Sequence, residues 1–250
     1  MNILITNDDG ISSQGIHALK RILSKSHNVY LICPAKEKSA TSQALTIFHR
    51  MHVEKLDVTT YTVDGFPTDC VNIGLFGNIF PEIDVVISGI NRGVNMGHDV
   101  HYSGTVGAAR HGAVHNKYSF AVSSGNREDG YDYEREASFI KDLIDQKISI
   151  FKKGIVYNIN FPLEFSKNIS DIKFAKLGKR TYSDKYEIAH IKDNVYHYFL
   201  ALTELGYINS PGSDFESFYK GYVTLTPITL YTTDGEEFEH LVNKFYIPLD

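Results

Sequence analysis

Only two cysteines occur in the 250 residues, Cys33 and Cys70, each in apolar sequence and not at a paired spacing. That argues against a disulfide framework and against a thiolate metal site, and it fits a reducing cytoplasm. Positive charge is also short: Lys and Arg total 25 against 30 Asp and Glu, a formal net charge of −5. A surface that grips duplex nucleic acid is therefore not expected, and a small anionic substrate needs a local cation. No apolar run approaches the ~20 residues that cross a bilayer. The opening Met1-Asn2-Ile3-Leu4-Ile5-Thr6 lacks the basic start and apolar length of a secretion signal, so no membrane partner is expected. Internal repeats and low-complexity tracts are absent as well.

What is present is an ordinary apolar content of 42%, arranged in the first half as short apolar runs alternating with helical patterns. That alternation is the signature of βαβ units and a mainly parallel sheet flanked by helices, an α/β fold. Residues 2–6 read as a buried strand, and 14–25 as a helix with Ile16, Leu19, Ile22 and Leu23 on one face. A second strand covers 28–33, and 36–42 form a loop or a short helix start. Residues 44–63 alternate apolar with polar and are rich in β-branched side chains, so a β-hairpin is expected as an insertion.

Asp69 can cap a helix carrying Val71, Ile73 and Leu75, followed by a buried strand at 84–88 and a long glycine-rich loop over 89–104. A helix at 105–115, a strand at 119–123, a helix at 134–147 and a strand at 155–161 complete a core expected over residues 1–165. Residues 166–250 are expected to form a smaller subdomain or arm. It contains β-like stretches at 172–177, 195–202 and 222–226, a polar segment at 179–193 and a helix near 236–243.

Ligands of open parallel sheets bind beyond the carboxyl ends of the strands. Here those ends carry Asn7-Asp8-Asp9-Gly10, the segment 36–42 and Ser88-Gly89-Ile90-Asn91. Adjacent carboxylates after a buried strand repel one another and lose solvation, so they persist as anions beside a cation. Carboxylate, hydroxyl and amide oxygens suit Mg²⁺, Mn²⁺ or Ca²⁺; a zinc-type Cys/His cluster is missing, and the spacing of His98 and His101 is a weak metal signal. The alternative for Asp8-Asp9-Gly10 is a plain turn with a helix cap. The glycines from Gly10 to Gly15 do not fit a dinucleotide fingerprint. The 88–105 loop delivers Ser103, Gly104 and Thr105 to a helix N-terminus, where free N–H groups hold phosphate oxygens.

These segments resemble the stationary-phase survival protein SurE family of metal-dependent 5′- and 3′-nucleotidases. The resemblance covers most of the chain and rests on motifs in the family's order. They are Asn7-Asp8-Asp9-Gly10, the stretch 34–46 with Ser39, Pro67-Thr68-Asp69-Cys70, the 88–105 loop, Asn158-Ile159-Asn160-Phe161-Pro162 and the stretch 220–227. It implies a Rossmann-like core, and a C-terminal arm exchanged between subunits of a homodimer or homotetramer. By the resemblance Asp8, Asp9, Ser39 and Asn91 are metal ligands, while Asn95, Ser103, Gly104 and Thr105 border the phosphate pocket. Two departures stand out: Gln43 where many members have Asn, and Arg110-His111 where a pair with Glu is usual.

The expected activity is hydrolysis of nucleoside 5′-monophosphates, and of 3′-monophosphates as a second class, to nucleoside and phosphate. A covalent route through Asp8, Asp9 or Ser39 is a chemical rival, disfavoured because Asp-Asp-Gly is not the Asp-x-Asp of aspartyl-phosphate enzymes. A nucleotide-binding sensor is the rival from another class, and the acidic pair favours the enzyme.

Overall fold

The computed structural model describes residues 1–192 and 194–245. Asp193 of the expected polar segment, and residues 246–250 of the expected arm, lie outside them. In chain order the first elements are β1 (Asn2–Thr6), α1 (Gln14–Leu23), β2 (Asn28–Pro34), β3 (Val53–Lys55), β4 (Thr60–Val63) and α2 (Pro67–Phe76). β5 (Val85–Arg92), α3 (Gly104–Val114), β6 (Tyr118–Ser124), α4 (Glu134–Lys147), β7 (Val156–Phe161) and β8 (Lys173–Phe174) follow. The chain continues through β9 (Lys179–Lys192), β10 (Val195–Ile208), α5 (Asp214–Tyr219), β11 (Thr224–Ile228) and α6 (Gly235–Phe245). No helix among the described residues is long and apolar enough to cross a membrane.

The main sheet has the order β3-β4-β2-β1-β5-β6-β7-β11-β8. Its central strands from β4 to β7 are parallel, and β3 and β11 run antiparallel to their neighbours β4 and β7. Alternation along the strands explains why both faces must be covered. Ile3, Ile5, Ile87, Phe120 and Val122 pack with Ile16, Leu19, Ile140 and Ile144 of α1 and α4. The intervening Leu4 and Val86 pack with Cys70 and Val71 of α2 and Ala108 of α3, and Ala121 packs with Val106 and Ala109. Each Val, Leu, Ile or Phe among them, removed from water entirely, contributes about 1.5–3 kcal/mol before chain entropy is set against it.

After β1 the chain moves outward to β2 and β4, then returns to β5 on the other side of β1 and moves outward again to β6 and β7. The crevice at that reversal, between the ends of β1 and β5, is where an open α/β sheet binds its ligands.

Several expectations shift in detail. The hairpin expected at 44–63 is confined to β3 and β4, which extend the edge of the main sheet. The strand expected at 84–88 runs on to Arg92, because Gly89 absorbs a register shift between Ser88 and Asn91. A Cβ on Gly89 would lie 2.2 Å from the Val122 carbonyl oxygen, and its φ of +140° is glycine territory. The loop is shortened accordingly and contains a 3₁₀ turn at Gly97–His101.

From beyond residue 165, β8 and β11 join the main sheet, and the polar segment with its β-like successor forms the ribbon β9–β10. Tyr186, Ile188, Tyr196, Tyr198 and Phe199 are exposed on the ribbon, so polarity there reflects a strand wet on both faces. A two-stranded ribbon is marginal alone. This one is anchored at its base, where Tyr207 stacks on Phe215 and Tyr219 at centroid distances of 4.9 Å.

Gly107, in α3, is where the segment after β2 docks: an added Cβ would sit 2.1 Å from the Ser42 carbonyl oxygen. Helix propensity favours Ala over Gly by ~1 kcal/mol, but the backbone contact outweighs it. Gly107→Ala is expected to lower the thermal unfolding midpoint by a few degrees, matching a net cost of about 1–3 kcal/mol; calorimetry checks the sign.

Candidate active site

The turn after β1 is shaped by Asn7, whose side-chain oxygen accepts from the Gly10 N–H at 3.2 Å and whose amide nitrogen donates to the Gly10 carbonyl at 2.9 Å. Gly10 has φ +89°. The turn of the alternative reading is therefore present, without the helix cap, which falls at Ser13, and it serves to aim Asp8 and Asp9 into the crevice. Asp8 is 5% exposed. Its carboxylate accepts from the Thr105 hydroxyl at 2.6 Å and the Thr105 N–H at 3.1 Å. Among the described residues Asp9 accepts the Arg92 N–H alone, at 3.2 Å.

Among the described residues no cationic side chain is bonded to either carboxylate. Burial pushes the Asp8 carboxyl up from 3.8 to about 6, with Asp9's charge adding to the rise and the Thr105 bonds opposing it. Asp9 is raised too, by burial first and by the charge of Glu37 second, against the Arg92 N–H and guanidinium.

Residues 36–42 reach the same place because the Lys38 N–H donates to the Asp8 carbonyl at 2.7 Å. Ser39 Oγ donates to Glu37 Oε1 at 2.6 Å. Asn91, at the end of β5, spends its amide nitrogen on the Gly93 carbonyl at 2.7 Å, leaving its oxygen for another partner. Asn95 is clamped from below: its N–H donates to Asn160 Oδ1, its carbonyl accepts from Asn158 and Asn160, and its side-chain nitrogen donates to Ser123 Oγ. The Asn158-Ile159-Asn160 motif thus has a visible use, holding the loop that carries Asn95.

Ser103 caps α3 by accepting the Val106 N–H at 3.0 Å. Gly104 is pressed against Asp8, with room for a Cβ only 2.9 Å from Oδ2. Its N–H bonds none of the described residues, whereas both donors of Thr105 are taken by Asp8.

Asp8, Asp9, Ser39, Asn91, Asn95 and Ser103 all line one cleft of about 910 Å³, while Gly104 and Thr105 sit behind Asp8. No group of three or more Cys, His, Asp or Glu able to hold a metal occurs among the described residues. The acidic pair with a serine hydroxyl and an asparagine oxygen instead fits a hard divalent ion that completes its shell with water.

Sequence reasoning missed the far walls. One is the segment after β6, with Arg127, Tyr131 and Tyr133. The other is the base of the ribbon. There Arg180 reaches Asp99 through Nε at 3.0 and 3.1 Å and Nη2 at 2.6 Å, Tyr182 donates to Asp99 at 3.0 Å, and the Phe215 ring lies 4.6 Å from the guanidinium carbon. Asp214 accepts from the Gly97 and Gly178 N–H groups, both at 2.8 Å, tying ribbon to loop. Glu37 was also missed; its only sequence signal is an extra carboxylate in a strand-end segment.

Because the Asp8 carboxyl is raised in the folded protein, the native state holds its proton more tightly than the unfolded chain does. In chelator, the stability difference between the wild type and Asp8→Asn is expected to move against the wild type by about 3 kcal/mol as pH rises from 3.8 to 6. Divalent ion should reverse that trend in the wild type alone, as read by thermal unfolding across pH.

Comparison with known proteins agrees with this architecture. Residues 3–184 match the family model described as "Survival protein SurE". A protein from Leptospira interrogans named "5'-nucleotidase SurE" is 56% identical over 234 residues, covering 94% of each chain. One of the same name from Clostridium botulinum is 36% identical over 254 residues, covering 98% of this chain and 100% of its own. The crystal structure of the SurE protein from Aquifex aeolicus superposes with a TM-score of 0.81 at 29% identity, covering 98% of this chain and 100% of that one. The chain belongs to the SurE survival protein family.

Proposed function

We propose that the protein is a metal-dependent 5′-nucleotidase that hydrolyses nucleoside 5′-monophosphates to nucleoside and phosphate, with 3′-monophosphates as a second substrate class. The observation that carries this reading is the pair Asp8 and Asp9, without a bonded cationic side chain, in a cleft whose other wall is rich in hydrogen-bond donors. The names of the Leptospira and Clostridium relatives support the same activity. Asp8, Asp9, Ser39 and Asn91 would hold the ion, with Mg²⁺ or Mn²⁺ the best match and Ca²⁺ a further one. When bound, such an ion supplies Lewis-acid polarisation of a phosphoryl oxygen and activation of water.

The chain's own residues do the remainder. Thr105 fixes the direction of the Asp8 carboxylate with two hydrogen bonds. Asn95, immobilised by Asn158, Asn160 and Ser123, would border the phosphoryl group. Ser103, which lines the cleft at the start of α3 and whose hydroxyl proton is unspent among the described residues, offers a donor to a phosphoryl oxygen, aided by the helix dipole. Hydrolysis breaks the phosphorus–oxygen ester bond; water supplies the new oxygen on phosphorus and the proton leaves with the nucleoside hydroxyl. The exposed aromatic and aliphatic side chains of β9 and β10 support a role for the ribbon as the arm of a homodimer or homotetramer, working in the cytoplasm.

Asp8→Asn and Asp9→Asn are each expected to reduce phosphate release from nucleoside monophosphates at least about 100-fold, with circular dichroism unchanged. Chelator should abolish release and added Mg²⁺ or Mn²⁺ restore it. Full turnover by either variant, or in excess chelator, overturns the proposal.

A further inference from the structure

The cationic side chains lining the cleft are Arg92, Arg127 and Arg180. Arg92 donates to Asp129 at 2.8 Å, and Arg180 is held by Asp99. Arg127 alone of these has neither an acidic partner nor a hydrogen bond from its guanidinium among the described residues.

Its placement is nonetheless built. Arg92 reaches across from the end of β5, and its Nε and Nη2 donate to the Arg127 carbonyl at 3.1 and 2.7 Å while Nη2 also meets Asp129. The backbone of the segment is thereby fixed, and its one nearby basic neighbour is occupied. Gly93, at φ +123°, makes room on the opposite side: a Cβ there would lie 2.6 Å from Arg127 Nη2. The guanidinium therefore lies along the floor of the cleft rim over a residue that has no side chain.

Tyr131 and Tyr133 line the cleft as well: the Tyr133 hydroxyl donates to the Asn126 carbonyl at 3.2 Å and its ring meets that of Tyr131 at 4.8 Å. Arg127 and the adjacent Glu128 are both exposed, so solvent screens their mutual attraction.

We infer that Arg127 forms a second anion subsite in the cleft, one that selects substrates carrying a further phosphate on the leaving group, such as nucleoside 3′,5′-bisphosphates. A planar guanidinium with no donor spent on the described residues suits a phosphate in two-point contact, and a substrate with a second phosphate supplies it with a charged partner. This inference rests on the phosphatase reading of the same cleft.

The test has a binding arm and a turnover arm. Asp9→Asn protein, with and without Arg127→Ala, is titrated calorimetrically with AMP and with adenosine 3′,5′-bisphosphate. The bisphosphate is expected to bind about 10- to 100-fold more tightly than AMP, and Arg127→Ala to erase that preference. Equal affinity for the two ligands with Arg127 present, or a preference that survives its removal, overturns the inference. In turnover, the ratio of kcat/KM for bisphosphate over AMP should fall by a similar factor in Arg127→Ala alone, and an unchanged ratio counts against it. Absence of phosphate release from either substrate by the wild type would overturn the nucleotidase reading, while the binding comparison still decides the role of Arg127.

Discussion

Two carboxylates placed side by side where a fully buried strand ends are an electrostatic debt that the surrounding structure organises itself around. Asp8 has lost almost all its water, and what replaces that water is neutral: a hydroxyl and an amide from Thr105. Hydrogen bonds of this kind orient an anion without neutralising it, which is why burial still dominates and the carboxyl is raised to about 6. An arginine or lysine in bonding contact would have settled the charge and closed the position to a metal. The close approach of Gly104, which leaves no space for a side chain beside Asp8, belongs to the same arrangement.

The loops around that pair are held by side chains bonding to backbone as well as by the buried Met96 and Val100. Asn7 closes its own turn, Asn158 and Asn160 hold Asn95, and Asp214 gathers Gly97 and Gly178. Asp69 does likewise for the segment after Ser39, accepting from the N–H and hydroxyl of Thr46, both at 2.8 Å, as well as from Phe66. Such bonds are short and directional, so they fix loop geometry to a degree that apolar contact does not. Irregular backbone can then carry the functional groups while the sheet and its helices supply rigidity.

How much of this was legible in the sequence follows from the range of the interactions concerned. Periodicity and capping are local, and the helix at 134–147 was read at its observed bounds. Asp8, Asp9 and Asn91 could be placed because strand ends in an open sheet converge. By contrast, the extension of β5 through Arg92 depended on a backbone shift at Gly89 that no alternation reveals. Arg180 meets Asp99 across 81 residues, and no local pattern marks either as a partner of the other. Thr105 was read as part of a phosphate pocket; that its hydroxyl faces Asp8 is a matter of side-chain direction, visible only in three dimensions. The second strand of the ribbon is β-like in sequence at 195–202, whereas the first, inside 179–193, reads only as a polar segment because no buried face gives its alternation contrast.

That ribbon has a mechanical consequence. Its strands are each 14 residues long, a reach of about 45 Å at the usual rise per residue. The fulcrum is the Asp99–Arg180–Tyr182 cluster, which is also a wall of the cleft. The 3₁₀ segment between Asn95 and Ser103 and the base of the ribbon thus share one anchoring cluster, so a partner that gripped the distal end would pull on a lever whose short arm is a wall of the cavity.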